Sequence, residues 1–225
     1  NATWFISNDK VNEAGFLPTA NNTNWEAEGT TDFNQDGKLD ILWRNYITGE
    51  NVVWLMDGLK QINSLSLTQV PDQKWKIEGL ADFNNDGKSD ILWRNYNDSS
   101  NAIWFINGIK SSGKEIDFTG EFIELEPPPG QTDIPPLSLA WIIAGAGDVN
   151  SDNKADIFWR NEDTGENAIW LMDGIKLVQG RFIETLPTRW KIESIGDMNG
   201  DGKSDMVWRN NTSDETEIWF LIRLN

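Results

Sequence analysis

The sequence predicts an all-β protein, a β-propeller of about four four-stranded blades, and three observations lead to this prediction. A block of about 50 residues recurs four times along the chain. Each copy contains short segments rich in β-branched and aromatic residues, bounded by Gly, Asn and Asp. No segment shows the pattern of an amphipathic helix, which helical solenoids need, and a parallel β-helix has shorter coils. Four short strands per repeat, covered on both faces, match a propeller blade.

The 13 tryptophans define the repeat. Each copy has three Trp-containing segments, and the first Trp precedes the second by 18 residues and the second precedes the third by 11. Only the connection from the third Trp to the next copy varies in length, so insertions fall at one place in the blade. The recurring first, second and third segments are represented by "WKIEGLA", "DILWRN" and "NAIWLMDG", and a weaker fourth strand, such as "GRFIETLP", follows.

The copies predict one domain, residues 1–225, with repeat units at about 21–70, 71–136, 137–186 and 187–225 and additional N-terminal strands in 1–20. The last unit ends after its third strand, so we expect the N-terminal strands, from about Val11 to Ala20, to close the ring. The segment 1–8 is then an extra third-type strand, which could cap a blade edge, exchange with another chain or belong to a partial fifth blade. The proline-rich segment 126–136 is interpreted as a loop inserted at the variable connection.

An acidic loop precedes the second strand in every copy, with the pattern Asp-x-Asn-x-Asp-Gly-Lys-x-Asp. Its oxygen side chains at positions 1, 3, 5 and 9 and a backbone carbonyl at position 7 suit Ca²⁺, which takes six to eight oxygen ligands. The third copy has Asn153 in place of Gly, and Asn also tolerates the left-handed conformation. The predicted metal ligands are Asp32, Asn34, Asp36, Lys38 and Asp40; Asp82, Asn84, Asp86, Lys88 and Asp90; Asp148, Asn150, Asp152, Lys154 and Asp156; and Asp197, Asn199, Asp201, Lys203 and Asp205.

These loops differ from an EF-hand, because position 12 holds Trp instead of a bidentate Glu and the flanking segments are strands. We therefore predict about four structural Ca²⁺ ions, each fixing the link between the first two strands of a blade. Loops without a bidentate Glu fit millimolar calcium, so we expect an extracellular, secreted or cell-surface protein.

Composition excludes several other functions. The net charge of −17 disfavours nucleic acid as a partner, and no apolar run is long enough for membrane insertion as a helix. The chain contains no Cys and no His, which removes the commonest general base and nucleophilic thiol. Carboxylates recur after the first Trp, at Glu28, Glu78 and Glu193, but recurrence indicates a structural role. We expect no enzymatic activity.

The loops together with the "DILWRN" strands resemble the FG-GAP/VCBS repeats of calcium-binding β-propellers. Integrin α-subunit propellers and lectins of the Psathyrella velutina type share such loops. The resemblance covers nearly the whole chain and implies a propeller with bound calcium. It is less specific for function, since the family includes adhesion, sugar-binding and scaffolding proteins.

The expected function is a calcium-stabilised, non-catalytic, lectin-like protein that binds glycans or glycoconjugates at repeated sites. The alternative is an extracellular structural or adhesion module that self-associates through strand exchange or binds a protein partner. Arg-Asn pairs at the end of each second strand are the candidate sugar contacts, because a strand end lies near a rim. They are Arg44, Asn45, Arg94, Asn95, Arg160, Asn161, Arg209 and Asn210.

Overall fold

The computed structural model of the protein describes residues 2–7, 10–17, 24–125 and 138–221. The proline-rich segment 126–136 lies outside these ranges. Among the described residues no helix is long and apolar enough to cross a membrane. The described strands are β1 (Ala2–Ser7), β2 (Lys10–Phe16), β3 (Trp25–Thr31), β4 (Asp40–Asn45), β5 (Asn51–Asp57), β6 (Lys60–Leu67), β7 (Trp75–Ala81), β8 (Asp90–Asn95), β9 (Asn101–Ile109), β10 (Ile116–Phe122), β11 (Trp141–Gly147), β12 (Asp156–Asn161), β13 (Asn167–Asp173), β14 (Lys176–Ile183), β15 (Trp190–Gly196), β16 (Asp205–Asn210) and β17 (Thr216–Trp219).

The strands form antiparallel meanders in which each strand pairs with its neighbour in sequence. We call the sheets blade 1 (β3–β6), blade 2 (β7–β10), blade 3 (β11–β14), blade 4 (β15–β17) and the N-terminal hairpin (β1–β2). Blades 1 to 3 have four strands, and the described part of blade 4 has three. The predicted all-β blade architecture is confirmed, and every repeat predicted from the tryptophan spacing corresponds to one blade.

The N-terminal hairpin has the pairing of the outer half of a blade. Trp4 lies opposite Ala14 and a bulge follows between Phe5 and Ile6. In blade 1, Trp54 lies opposite Ser64 and the bulge follows at the next residue pair. The hairpin therefore contains a third-type and a fourth-type strand, as the sequence predicts. In this structure β2 pairs with β1, and the closure of the ring by the N-terminal strands stays a prediction.

The chain divides into two compact units. Unit 1 comprises Asn1–Gln73 with Ile106–Phe118, and unit 2 comprises Lys74–Phe105 with Thr119–Asn225. In unit 2 the first strands β7, β11 and β15 lie side by side, with β11 contacting both of the others. This arrangement of first strands from successive blades is that of a propeller centre.

Successive blades in unit 2 pack face to face. Phe83, Leu92 and Ile103 of blade 2 belong to one apolar cluster with Ile157 and Trp159 of blade 3. The next such cluster joins blade 3 to blade 4 and includes Val149, Phe158, Ile169, Met206 and Trp208. Because both faces of the second strands of blades 2 and 3 are covered, these strands carry apolar residues at successive positions instead of alternating with polar ones.

The fixed 11-residue spacing has a direct structural reason. It places the second and third tryptophans of a blade on neighbouring strands, where the rings meet at a tilt. The ring centroids are 4.9 Å apart for Trp43 and Trp54 and 4.6 Å apart for Trp159 and Trp170. Aromatic pairs of this kind stabilise a sheet by roughly 0.5–1.5 kcal/mol beyond the area they bury.

Candidate functional site

Each acidic loop connects the first strand of a blade to the second, as the sequence predicts. We call them loop 1 (residues 32–40), loop 2 (82–90), loop 3 (148–156) and loop 4 (197–205). The last Asp of each loop is the first residue of the second strand. The loops therefore occupy one structurally equivalent position in all four blades.

In loop 1 the predicted ligand oxygens accept hydrogen bonds from the amides of the same loop. The Asp32 carboxylate accepts from Gly37 N at 2.7 Å and from Asp36 N at 3.1 Å. The Asn34 side-chain oxygen accepts from Asp36 N at 3.0 Å, and the Asp36 carboxylate accepts from Lys38 N at 2.9 Å. Loops 2, 3 and 4 repeat the bond from the sixth residue to the first. The loop backbone is thus held in a tight coil with its carboxylates on the inside of the turns.

The sixth residue of each loop is in the left-handed region. Gly37 has φ of 84° and Asn153, its counterpart in loop 3, has φ of 64°. The expectation that Asn153 can replace Gly here is confirmed, because Asn accepts this conformation more readily than other side chains.

The last Asp of the loop has a structural role that sequence reasoning missed. Asp156 is fully buried; one carboxylate oxygen accepts from Val149 N at 3.0 Å and the other from Met172 N at 2.9 Å. Asp40 makes the equivalent bonds to Phe33 N and Met56 N. This carboxylate therefore ties the loop to the third strand at its bulge, in addition to its place among the predicted ligands.

The loops concentrate charge that favours a cation. The pKa of Asp156 is raised to about 7, chiefly by burial; the hydrogen bonds from Met172 and Val149 lower this pKa, and the nearby Asp152 and Asp148 add to the rise. In loop 4, hydrogen bonds from the backbone, led by that of Gly202, hold the pKa of Asp197 below its usual range. One carboxylate of the motif is thus kept ionised by loop amides while the buried one lacks a compensating positive charge. A bound cation would supply that charge.

The donor set fits a hard cation. It consists of carboxylate, amide and carbonyl oxygens, and an oxygen that accepts one amide hydrogen bond keeps a further lone pair. Among the described residues no group of three acidic side chains is already arranged to hold a metal ion. The carboxylates instead face their own loop amides. An open cleft of about 370 Å³ lies between loops 2 and 3 and is lined by Asp82 and Asp148.

The lysine at the seventh position takes part in ion pairs at its side chain. Lys38 Nζ lies 2.9 Å from the Asp57 carboxylate, and Lys154 Nζ lies 2.6 Å from that of Asp173. These partners end the third strand of the same blade. In loops 1 and 3 the ammonium groups thus connect loop and strand, whereas Lys88 in loop 2 pairs with Asp86 of its own loop. The predicted contribution of this residue to a metal site is its backbone carbonyl alone.

The arginines of the Arg-Asn pairs are buried instead of lying at an exposed rim, except in blade 4. The Arg160 side chain donates to Asn167 Oδ1 at 2.8 Å and to Pro187 O at 3.0 Å, and its guanidinium lies 5.1 Å from the Trp208 ring centroid. Arg44 and Arg94 are also fully buried and make the same bonds to Asn51 and Asn101. These arginines donate hydrogen bonds to backbone carbonyl groups of the connection that leads to the next blade and thereby hold it in place. Arg209 is the exception, with a half-exposed side chain paired to Asp214 at 3.0 Å.

The asparagines that follow are turn residues. Asn45 Oδ1 accepts from Ile47 N at 2.9 Å and from Thr48 N at 3.1 Å, and Asn95, Asn161 and Asn210 repeat the first of these bonds. All four asparagines are buried. The structure therefore places these residues inside the turn between the second and third strands.

Two of the recurring glutamates, Glu28 in blade 1 and Glu78 in blade 2, each hydrogen-bond a tyrosine of their own blade. Burial raises the pKa of Glu78 to about 7, although its hydrogen bond with Tyr96 and the charges of Arg94 and Lys76 act in the opposite direction. Glu28 and Tyr46 form the corresponding hydrogen bond in blade 1, whereas Glu193 is exposed.

Two exposed aromatic residues form a repeated surface feature that the sequence reading did not single out. Phe122 is 65% exposed and packs against Trp75 with ring centroids 6.0 Å apart. Phe182 is 44% exposed and packs against Trp141 at 5.9 Å. Both Phe residues lie in a Phe-Ile-Glu sequence, and the Glu in each, Glu124 or Glu184, is exposed. The repeated tripeptide was the signal that could have identified them.

Comparison with known proteins agrees with this architecture. A search of curated proteins returns no match to the chain. The model of the FG-GAP-like repeat matches three overlapping stretches, residues 32–93, 82–159 and 148–208. Repeats of this kind are typical of binding or adhesion-type modules and of extracellular or cell-surface proteins. Because the three matches together span most of the sequence, the chain belongs to the FG-GAP-like repeat family of β-propeller proteins.

Proposed function

We propose that the protein is an extracellular, calcium-stabilised carbohydrate-binding module without catalytic activity. The four acidic loops support the calcium part of the proposal. Their ligand oxygens are of the type that Ca²⁺ prefers, and they recur at one structural position in four blades. Asp32, Asn34, Asp36, the Lys38 carbonyl and Asp40 would hold the ion in loop 1, and the corresponding residues would do so in the other loops. The ion would neutralise charge within each loop and thereby stabilise the link between strands.

The observation that carries the carbohydrate part is the pair of exposed aromatic sites. The ring of Phe122 is held against Trp75 and that of Phe182 against Trp141, so each ring is positioned before a ligand arrives. The electron-rich face of an aromatic ring attracts the C–H groups of a sugar ring. Glu124 and Glu184, two residues further on, can accept hydrogen bonds from sugar hydroxyls. The buried arginines Arg44, Arg94 and Arg160 are not included in these sites.

Two equivalent weak sites on one chain would act together on a ligand that presents several sugars. Linked sites raise the apparent affinity without any new contact, provided that both can be engaged at once. This favours polymeric or clustered glycans over free monosaccharides as ligands.

A glycan-array screen in calcium tests the proposal. We expect specific binding by the wild-type protein and loss of most of the signal in Phe122→Ala/Phe182→Ala. Val178→Ala is the matched control, because Val178 is an exposed apolar residue on the same strand as Phe182 but outside the aromatic pair. A blank array obtained with folded, calcium-loaded protein would contradict carbohydrate binding. Signal that survives the double substitution would place the sugar site elsewhere.

A further inference from the structure

Loop 4 differs from the other acidic loops at its fourth position. The third position is Asn in all four loops, but Gly follows it only in loop 4, at Asn199-Gly200; the residues there in loops 1, 2 and 3 are Gln35, Asn85 and Ser151. All four residues at the fourth position have a left-handed backbone, with φ of 79° at Gly200 and 64° at Ser151. Loop 4 therefore keeps the backbone conformation of the other loops and lacks the side chain after the Asn.

An Asn-Gly pair can undergo a reaction within its own backbone. The glycine nitrogen attacks the side-chain carbonyl carbon of the asparagine and loses its proton, and the former side-chain nitrogen leaves as ammonia. Water then opens the cyclic succinimide to aspartate or to isoaspartate, so an amide and water become a carboxylate and ammonia. Glycine favours the reaction because it has no Cβ to obstruct the attacking nitrogen.

The groups that promote this attack surround Asn199. Gly200 N donates to Asp197 Oδ1 at 2.7 Å, so the proton that the nitrogen must lose already points at a carboxylate. Asp201 N donates to Asn199 Oδ1 at 2.8 Å, and this bond polarises the side-chain carbonyl and stabilises negative charge on its oxygen. Loop 4 thus supplies the nucleophile, a base and a donor to the developing oxyanion, and both Asn199 and Gly200 are exposed to water.

Loop 3 provides a comparison within the same chain. Ser151 N donates to Asp148 Oδ1 at 2.7 Å, and Asp152 N donates to Asn150 Oδ1 at 2.9 Å. The nucleophile, base and oxyanion donor are therefore the same as in loop 4. The residue that carries the attacking nitrogen is different, because Ser151 has a side chain that obstructs the approach.

We propose that Asn199 is a site of spontaneous deamidation and that calcium bound in loop 4 suppresses the reaction. Asn199 and Asp197 are both among the predicted ligands. An ion held by their oxygens would fix the Asn199 side chain in the coil and occupy the base, so that the carbonyl carbon is kept from turning towards Gly200 N. The effect of calcium rests on the proposed calcium sites, whereas the reactivity of Asn199 does not.

The two products change the loop in different ways. Conversion of Asn199 to aspartate adds a carboxylate to the predicted ligands. Isoaspartate instead places an extra methylene group in the main chain, which disrupts the coil and the hydrogen bond from Gly202 N to Asp197 at 2.9 Å. A period without calcium would therefore leave a lasting chemical change in loop 4.

Peptide mapping of the full chain by mass spectrometry tests the proposal. The protein is incubated in mildly alkaline buffer with excess chelator or with calcium, and the deamidated fraction of each Asn is followed over time. In chelator we expect Asn199 to react at least about tenfold faster than Asn150. The chain has a second Asn-Gly pair, Asn107-Gly108 in β9, outside the acidic loops. The ratio of the Asn199 rate to the Asn107 rate should fall in calcium.

Two substitutions exchange the difference between the loops. Gly200→Ser gives loop 4 the residue of loop 3 and should slow Asn199 to the rate of Asn150. Ser151→Gly should make Asn150 as reactive as Asn199. Both positions have the left-handed φ that Gly and Ser already adopt in these loops, so neither substitution requires a different backbone.

Equal rates at Asn199 and Asn150 in chelator would overturn the reactivity of Asn199. Calorimetric titration with calcium separates the remaining outcomes. If calcium binds and the Asn199 rate does not fall, the suppression by calcium is wrong although the proposed calcium sites stand. If no calcium binds, the proposed calcium sites and the suppression are both overturned.

Discussion

At the scale of single residues, the buried arginines show where sequence reasoning reached its limit. The Arg-Asn pairs are the last two residues of the apolar second strand, and such a position is compatible with an exposed rim. Arg160 is buried because the connection at Leu186 and Pro187 folds back over it and accepts its hydrogen bonds. This connection is the part of the repeat that varies most in sequence and length. The pattern of the repeat therefore identifies the arginine but not its environment.

The structural role of these arginines can be measured by replacing one of them. In Arg160→Lys the planar fork of donors is lost, and one side chain can no longer donate to Asn167, Gly165 and Pro187 together. We expect the free energy of unfolding to fall by about 2–3 kcal/mol in chemical denaturation.

The chain contains a matched control for this substitution. Arg209 occupies the same repeat position in blade 4 but is half exposed. Arg209→Lys should change stability by less than about 0.5 kcal/mol. An equal loss of stability in Arg160→Lys and Arg209→Lys would contradict the claim that the burial of Arg160 makes it important for stability.

Glu78 predicts a pH dependence of stability. Its pKa is raised from 4.5 to about 7 in the folded protein, chiefly by burial. Between these values the folded state holds a proton that the unfolded chain has released, so the free energy of unfolding decreases as the pH rises through this window. Glu78→Gln removes the ionisation and should stabilise the protein above pH 7 by about 1–2 kcal/mol.

Denaturation of the wild-type and Glu78→Gln proteins at several pH values measures this effect. The two curves should converge on the acidic side of the window and separate above it. Glu193→Gln, at the exposed counterpart of the position in blade 4, should follow the wild-type curve throughout. A constant difference between wild type and Glu78→Gln at all pH values would contradict the assignment.

At the scale of elements, the sequence predicts the order and type of the strands well because each blade repeats the same signals. The loops, the Trp spacing and the apolar second strand occur together in every copy. The bulge of the first strand, such as that between Ile77 and Gly79, was not predicted. It depends on how two strands pair, and the pattern of one strand does not contain that information.

A single loop can be tested for calcium binding by a neutralising substitution. Asp86→Asn keeps a side-chain oxygen to accept the Lys88 amide but removes one charge from loop 2. We expect the calcium affinity of one site to fall by about tenfold or more, which corresponds to a loss of about 1.4 kcal/mol, as measured by calorimetric titration. Asp117→Asn removes the same charge from an exposed position in β10 and should leave the titration unchanged. Identical titrations of Asp86→Asn and wild type would contradict the role of this loop.

At the scale of the whole molecule, the repeat is sufficient to identify the propeller family. The repeat does not specify which strands pair with the N-terminal strands β1 and β2. The N-terminal residues were expected to complete blade 4, and their segment types were predicted correctly. The structure pairs them with each other, in the register of an outer half-blade. A pattern that identifies β2 as a fourth-type strand does not identify its partner, because β1 and β17 are both third-type strands with the same sequence pattern.

The net charge of −17 is also a property of the whole molecule, and much of it is concentrated in the four loops. Thermal unfolding in millimolar calcium, compared with unfolding in excess chelator and in magnesium, is the most direct test of the account. A free ion concentration about one hundred times the dissociation constant adds about 2.7 kcal/mol per site to the free energy of unfolding. We therefore expect calcium to raise Tm by about 10 °C or more and magnesium to raise it much less. A Tm that is the same in calcium and in chelator would contradict the claim that calcium stabilises the blades.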